Sequence, residues 1–291
     1  MKRSFLTTSL NALRSVFKIR LIESLLLSQT KGKPPGSLWV KLLPNNYQYK
    51  PGTIRNVVRN GIHFKLDIHD YVDWWIYFGI AEKSRDTLYD LVKPAATIVD
   101  VGANMGDTLM NFARLTGDKG FVYGFEPDKT NFKKCSDNLG LNHFSNVVLL
   151  QNGLGAQPGT FLLETTDPTN RGRNRVVSLN GKDTETITLT TLDAHSAANK
   201  LNRIDLIKID VEGYELQVLR GGTHLLKTQR PLLFIELDDN NLKEQGDSAL
   251  QLVRFLRGYN YALTHAETGQ IIDETTDFAN CHYDILGKPL K

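Results

Sequence analysis

From residue 97 onward, short apolar runs alternate regularly with amphipathic stretches. The runs at 97–101, 120–125, 146–150, 204–209 and 232–237 read as buried strands. Helical patterns lie between and after them at 107–115, 129–139, 213–227 and 247–256, and further runs at 259–264 and 283–286 close the series. Strands alternating with helices predict an α/β fold with a mostly parallel sheet covered by helices on both faces. The crossovers should be right-handed. Runs at 160–164 and 185–189 add strands around a polar loop, 166–182. Before residue 97 the pattern is mixed. Residues 62–68 alternate apolar and polar, as a half-buried strand does, 72–78 are rich in aromatic side chains, and 84–92 predict a short helix that ends before Pro94.

The first residues follow a different period. Leu6, Leu10, Leu13, Phe17, Leu21 and Leu25 recur at spacings of three and four, which predicts an amphipathic helix over 4–27. The run Lys31 to Gly36 (KGKPPG) reads as a linker. The expected organisation is an arm over 1–60 and a body over 61–291. The apolar stripe of the arm has to be buried. Packing on the body or on a second subunit, as a homo-oligomer, is the first expectation, and peripheral membrane contact through residues 1–30 the second. No stretch reaches the roughly 18 apolar residues of a membrane span. Thr7, Thr8, Ser9 and Asn11 interrupt the apolar region that a signal peptide would need. A cytoplasmic location is the resulting expectation.

Composition changes this picture in one respect. The chain of 291 residues is 41% hydrophobic and 23% charged, ordinary for a globular protein. Its two cysteines, Cys135 and Cys281, exclude a disulfide-dense scaffold and any cysteine-built zinc site. The net charge of +3 hides an asymmetry, however. Residues 1–65 carry twelve Lys/Arg and a single acid, Glu23, for a net +11, and the rest of the chain carries −8. A basic arm precedes an acidic body, so the arm suits an anionic surface or the body itself.

The strongest chemical signal is Ile98-Val-Asp-Val-Gly-Ala-Asn-Met-Gly106. An apolar strand carries Asp100 near its end and runs into a glycine turn and a helix, at the carboxyl edge where open α/β sheets bind ligands. Gly102 and Gly106 would let a ligand approach the backbone. The next strand leads to Glu126, where an acid can accept from two ribose hydroxyls. The turn lacks the middle glycine of the dinucleotide fingerprint. A ligand with a ribose and no pyrophosphate, such as S-adenosylmethionine, therefore fits better than a nicotinamide dinucleotide. The second signal is Asp205-Leu-Ile-Lys-Ile-Asp-Val-Glu-Gly-Tyr-Glu215. Glu215 suits a helix N-terminus, whereas Asp210 ends a strand on the same edge as Gly102 and Glu126. Lys208 shares its face with Asp210, so the two are placed to pair.

DVGANMG, then FEP, then IDLIKIDVEGYELQVLRGG, then PLLFIELDD form an ordered set that resembles the FkbM family of S-adenosylmethionine-dependent methyltransferases. The resemblance runs from about residue 60 to the C-terminus. It implies the class I methyltransferase (Rossmann-like) fold, a seven-stranded sheet with an antiparallel last strand. It also implies methyl transfer, usually to an oxygen of a sugar, glycolipid, polyketide or similar small molecule. By matching motifs, Asp100, Gly102, Asn104 and Gly106 would hold the methionine part of the cofactor and Glu126 its ribose. Asn152 stands where relatives of the fold place an acid against the adenine.

A hydroxyl acceptor must lose its proton as the new bond forms. Asp210 is the first candidate for that base, with Glu212 and Glu236 behind it. The loop 166–180 carries Arg171, Arg173 and Arg175 and reads either as a cover over the site or as a solvated loop. Tyr71, Trp74, Trp75 and Tyr77 line a pocket or pack a core, packing being the first reading. The seven histidines show no metal-ligand spacing, and no metal is expected. The competing functions are a nicotinamide-dependent oxidoreductase, a non-catalytic binding protein on a methyltransferase fold, and a nucleic-acid methyltransferase. The acidic body, and the absence of a base-recognising motif after the fourth strand, argue against the last.

Overall fold

The computed structural model describes residue 11, residues 14–177 and residues 183–290. Leu6, Leu10 and Leu13 of the expected stripe, and the tip of the arginine loop at 178–182, lie outside the described residues. The chain forms two compact units. Met1–Glu82 with Asp167–Gly172 make the first, and Lys83–Thr166 with Arg173–Lys291 the second. The first unit thus extends beyond residue 60 and takes in segments that the sequence reading places in the body.

In the first unit, helix α1 (Arg20–Thr30) and a short helix α2 (Leu38–Lys41) precede a hairpin of β1 (Ile54–Arg59) and β2 (Ile62–Asp67) and then helix α3 (Tyr71–Phe78). The hairpin turns at Asn60-Gly61, both at positive φ, as a tight two-residue turn requires. Phe64, Leu66, Ile68 and Phe78 form the buried interior. The aromatic cluster packs here. The Trp74 indole donates to the Pro44 carbonyl at 2.9 Å, and the Tyr77 hydroxyl donates to Glu23 at 2.9 Å.

Helix α1 is turned differently from the expectation. Its buried positions are Glu23, Leu26 and Thr30, while Leu21 and Leu25 are 75% and 63% exposed. The cause is electrostatic. Glu23 accepts from the Arg55 guanidinium through both oxygens, at 2.6 and 3.1 Å, and from Tyr77. A paired carboxylate facing inward fixes the rotation of the helix and leaves the leucines of the stripe outside.

The second unit is the α/β body. Its main sheet holds β3 (Thr97–Val101), β4 (Phe121–Phe125), β5 (Val147–Leu150), β10 (Leu206–Ile209), β11 (Leu232–Asp238), β12 (Tyr261–His265), β13 (Ile271–Ile272) and β14 (His282–Pro289), in spatial order 13-12-14-11-10-3-4-5. The seven strands from β12 to β5 are the expected class I arrangement, and only β14 runs antiparallel to its neighbours among them. The two-residue β13 is an eighth strand, added at the edge. Side chains alternate between two cores: Val99, Val101, Ile207 and Ile209 face one, Ile98 and Leu206 the other.

A second sheet pairs β6 (Gly153–Leu154), β7 (Gly159–Glu164), β8 (Arg175–Val177) and β9 (Thr184–Thr190) in the order 6-9-7-8. The helix expected over 213–227 is two short ones, Glu215–Arg220 and Thr223–Thr228. The break falls at Gly221, where a Cβ would lie 2.0 Å from the Gly155 carbonyl oxygen. Among the described residues no helix is long and apolar enough to cross a membrane.

Candidate functional site

The glycine turn follows β3 directly. Gly102 (φ +81°) and Asn104 (φ +49°) occupy the left-handed region, as does Gly106 (φ +97°), which caps the helix Asp107–Thr116. The amides of Gly102 and Ala103 both donate to the Phe125 carbonyl at 3.0 Å. The glycines serve the protein's own packing. A Cβ at 102 would lie 2.0 Å from the Asp210 carbonyl oxygen, and one at 106 would lie 2.7 Å from Cys135 Sγ. Each glycine therefore stands where the chain itself comes close.

Glu126, just past β4, locks the turn from the other side. One carboxylate oxygen accepts from the Asn104 amide at 2.7 Å, and the other accepts from the Asp128 amide at 2.9 Å. Each oxygen keeps a second lone pair for a hydroxyl donor. The residue is 5% exposed, and burial pushes its carboxyl up to about 8, against the opposing effect of the two amides. Asn104 is half-buried beside it, and Asn152 is half-buried after β5.

Under the turn lies a charged clamp. Lys208 on β10 is the register partner of Asp100 on β3. Its ammonium donates to the Gly102 carbonyl at 2.9 Å and stands 3.3 Å from Asp210 and 3.4 Å from Asp100. Burial works against the ammonium, but Asp210 and Asp100 outweigh it and hold Lys208 above its ordinary value. Asp100 is fully buried, and its other oxygen accepts from Thr108 Oγ1 at 2.7 Å. Burial raises its proton affinity, while Lys208 and Thr108 oppose the rise. Asp100 therefore anchors the turn from below and presents no open surface to a ligand. Asp210 is different: its side chain is 45% exposed at the sheet edge.

Behind Asp210 the acids accumulate. Glu212 (φ +52°) accepts from the Asn241 side chain at 2.7 Å. Burial, then Asp210, push its carboxyl up to about 8, with Arg173 opposing and Glu215 and Asp238 adding to the rise. Glu215 opens the helix Glu215–Arg220, as expected, but caps none of its amides: one oxygen instead accepts from the amides of Val211 and Gly213, ahead of the helix, at 3.0 and 3.1 Å. The other oxygen is buried without a hydrogen bond, and burial sets the group at about 7. Glu236 on β11 is 17% exposed, with one oxygen likewise unpartnered. Burial, followed by Asp210, Glu212, Glu215 and Asp284, pushes it well above the ordinary carboxylate range.

The structure thus brings Asp100, Gly102, Glu126, Lys208, Asp210, Glu212 and Glu236 to one edge of one sheet. Sequence reading missed Asp284 and His282. They reach Glu236 and Asp238 by the antiparallel register of β14, and His282 stands 2.9 Å from Asp238. The alternation His282-Tyr283-Asp284 on a terminal strand is the signal that marks them. Arg175 of the polar loop is not an open anion fork, because it pairs with Glu164 at 3.3 Å and also with Glu244. Among the described residues no group of three or more His, Cys, Asp or Glu is arranged to hold a metal ion.

The strand order and the glycine turn after β3 define a Rossmann-like α/β fold of the class I type. The family described as the methyltransferase FkbM domain matches residues 100–263, more than half of the chain, and the chain belongs to that family. It is 30% identical over 129 residues to the hexuronic acid methyltransferase AglP of Haloferax volcanii, a match covering 44% of this chain and 51% of that one. It is 29% identical over 143 residues to methyltransferase 1 of Beauveria bassiana, covering 43% and 57%. It is also 27% identical over 169 residues to the 2-O-methyltransferase NoeI of Sinorhizobium fredii, covering 53% and 68%. The chain spans little more than half the length of the first two relatives.

Proposed function

We propose that this protein transfers a methyl group from S-adenosylmethionine to a hydroxyl oxygen of a sugar, glycolipid, polyketide or similar small molecule. The observation that carries the reading is the meeting of two halves at one sheet edge. The Gly102–Gly106 turn with Glu126 forms the cofactor half, and Asp210, Glu212 and Glu236 form the acidic half.

The residues fit the cofactor chemically. Glu126 has lone pairs left for two ribose hydroxyls, and Asn104 and Asn152 offer polar side chains nearby. Asp210, with further acids behind it, suits a cationic group. When bound, the cofactor supplies a methyl on a positively charged sulfur, already a good leaving group. The chain's work is then to position the acceptor and to take its proton. We assign the proton to Asp210, whose side chain is open to an incoming acceptor, whereas Glu236 is only 17% exposed and Glu212 is tied to Asn241. A positive charge at this edge would favour the ionised forms of Glu212 and Glu236.

A sugar acceptor is supported by the names of the relatives, one a hexuronic acid methyltransferase and one a 2-O-methyltransferase. The nicotinamide reading has no support from the family that matches or from the turn. The test is transfer of a labelled methyl group from S-adenosylmethionine to hexuronic acids, other sugars and small polyketides. Label in a sugar hydroxyl is the expected result. Absence of cofactor binding by calorimetry, with no transfer to any acceptor, overturns the reading.

A further inference from the structure

Exposed large apolar side chains are ordinary when scattered and informative when gathered. In the first unit they are gathered. Ile19 is 56% exposed, Leu21 75%, Leu25 63%, Leu38 69% and Trp39 41%. They sit on helix α1, on the residue that caps it and on helix α2, which packs against α1. The turn ahead of α1 is also tied to α2: the Arg14 guanidinium donates to the Lys41 carbonyl at 2.6 and 3.1 Å.

Charge decides what such a face fits. Between residues 14 and 50 the chain has seven Lys/Arg and one acid, Glu23. That acid is 1% exposed and paired with Arg55. The outer surface of the segment is therefore positive only. Arg20, Lys31, Lys33 and Lys41 are all exposed on or beside the two helices. A second copy docking through the same face would set these bases against their own equivalents, and like charges juxtaposed at an interface oppose association. An anionic bilayer accepts both features at once. Its headgroups neutralise the bases, its acyl boundary takes the leucines, and Trp39 suits the depth between them.

We propose that helices α1 and α2 form a docking face for an anionic lipid surface, with Leu21, Leu25, Leu38 and Trp39 inserted and the flanking bases on the headgroups. The protein then lies on a membrane without crossing it. The face belongs to the first unit alone and does not depend on the chemistry assigned to the second.

The test is sedimentation of the full chain with vesicles of phosphatidylcholine containing phosphatidylglycerol, and with vesicles of phosphatidylcholine alone. Binding to the anionic vesicles at low salt, weakened at high salt and absent from the neutral vesicles, is the expected result. Lys31→Gln and Lys33→Gln should each weaken binding about fivefold, which corresponds to about 1 kcal/mol per base. Leu21→Ser with Leu25→Ser should weaken it at least tenfold while the thermal unfolding midpoint stays unchanged, because both residues are exposed in the fold. Failure to pellet with anionic vesicles at low salt overturns the proposal. So does unchanged vesicle binding in the double leucine variant. Self-association that this variant abolishes, without vesicle binding, assigns the face to a second copy instead.

Discussion

A Cβ built on Gly102 would lie 2.0 Å from the carbonyl oxygen of Asp210. The first residue of the turn proposed for the cofactor and the residue assigned to the acceptor's proton thus meet backbone to backbone. Gly102→Ala has to push β10 away and also adopt a φ of +81°. The expected loss is about 2–4 kcal/mol, typical of a severe backbone conflict. Urea unfolding measures it. A loss below about 0.5 kcal/mol, the range of neutral surface changes, would show that the contact yields easily.

Lys208 supports the same contact from below. Lys208→Met leaves Asp100 fully buried without its cation, and breaking a buried pair by removing one partner costs about 3–5 kcal/mol. The loss should be greater at pH 8 than at pH 5, because Asp100 escapes the penalty by taking up a proton. Adding Asp100→Asn to Lys208→Met should recover much of the stability, since the amide carries no charge to compensate. Equal losses at both pH values, with no recovery in the double variant, would reduce Lys208 to a packing role.

The fold of this edge was legible because each element announces itself in the chain. The apolar run into Asp100, the glycine turn, and the run ending at Lys208-Ile-Asp210 have strong local patterns. The roles of particular side chains were less legible. What fills the space beside Gly102 and Gly106 is set by Asp210 and Cys135, which come from distant parts of the chain. The outward turn of Leu21 and Leu25 depends on the long-range pairing of Glu23 with Arg55. The strand Ile54–Arg59 was missed because its side chains are only exposed or half-buried. Asn60-Gly61 was nevertheless a readable hairpin turn. The return segment Asp167–Gly172 was legible only as part of a polar loop, and its place in the first unit was not.

Three glutamates, Glu126 and Glu215 buried and Glu212 half-buried, give the fold a pH dependence with a definite sign. Glu126 and Glu212 titrate at about 8 and Glu215 at about 7 in the folded chain, all above the ordinary glutamate value. The folded state therefore holds protons that the unfolded state has released. Their contribution to stability is fully present below about pH 4.3 and is lost as the pH rises toward 8. Urea midpoints measured in steps from pH 5 to pH 8.5 should fall. Glu215→Gln keeps an acceptor for the amides of Val211 and Gly213 and should flatten part of that slope. An unchanged slope in this variant would mean that Glu215 is ionised throughout.

The same raised value makes cofactor binding report on Glu126. Hydroxyl donors bind a carboxylate more strongly than a neutral carboxyl. Binding of S-adenosylmethionine below pH 8 should therefore draw Glu126 into its ionised form and release a proton. Calorimetry in two buffers of different ionisation enthalpy detects that release. Glu126→Gln should abolish it and weaken binding about tenfold or more, since hydrogen bonds to a charged group contribute about 1.5–3 kcal/mol. Unchanged affinity and proton release in Glu126→Gln would remove Glu126 from the ribose.

The assignment of the acceptor's proton to Asp210 is tested against Glu236, because the two differ in openness: the Asp210 side chain is 45% exposed and that of Glu236 17%. Asp210→Asn keeps the shape at the sheet edge and removes the base. Turnover should fall by about 10²–10⁴, the range for a lost general base, with cofactor affinity little changed. Glu236→Gln resembles the protonated form that burial already favours, so its plateau turnover should fall far less. Labelled-methyl turnover measured from pH 5 to pH 9 in both variants separates the roles. Should Asp210→Asn retain its turnover while Glu236→Gln loses it, the proton goes to Glu236, and Asp210 serves to hold Lys208 beneath the turn.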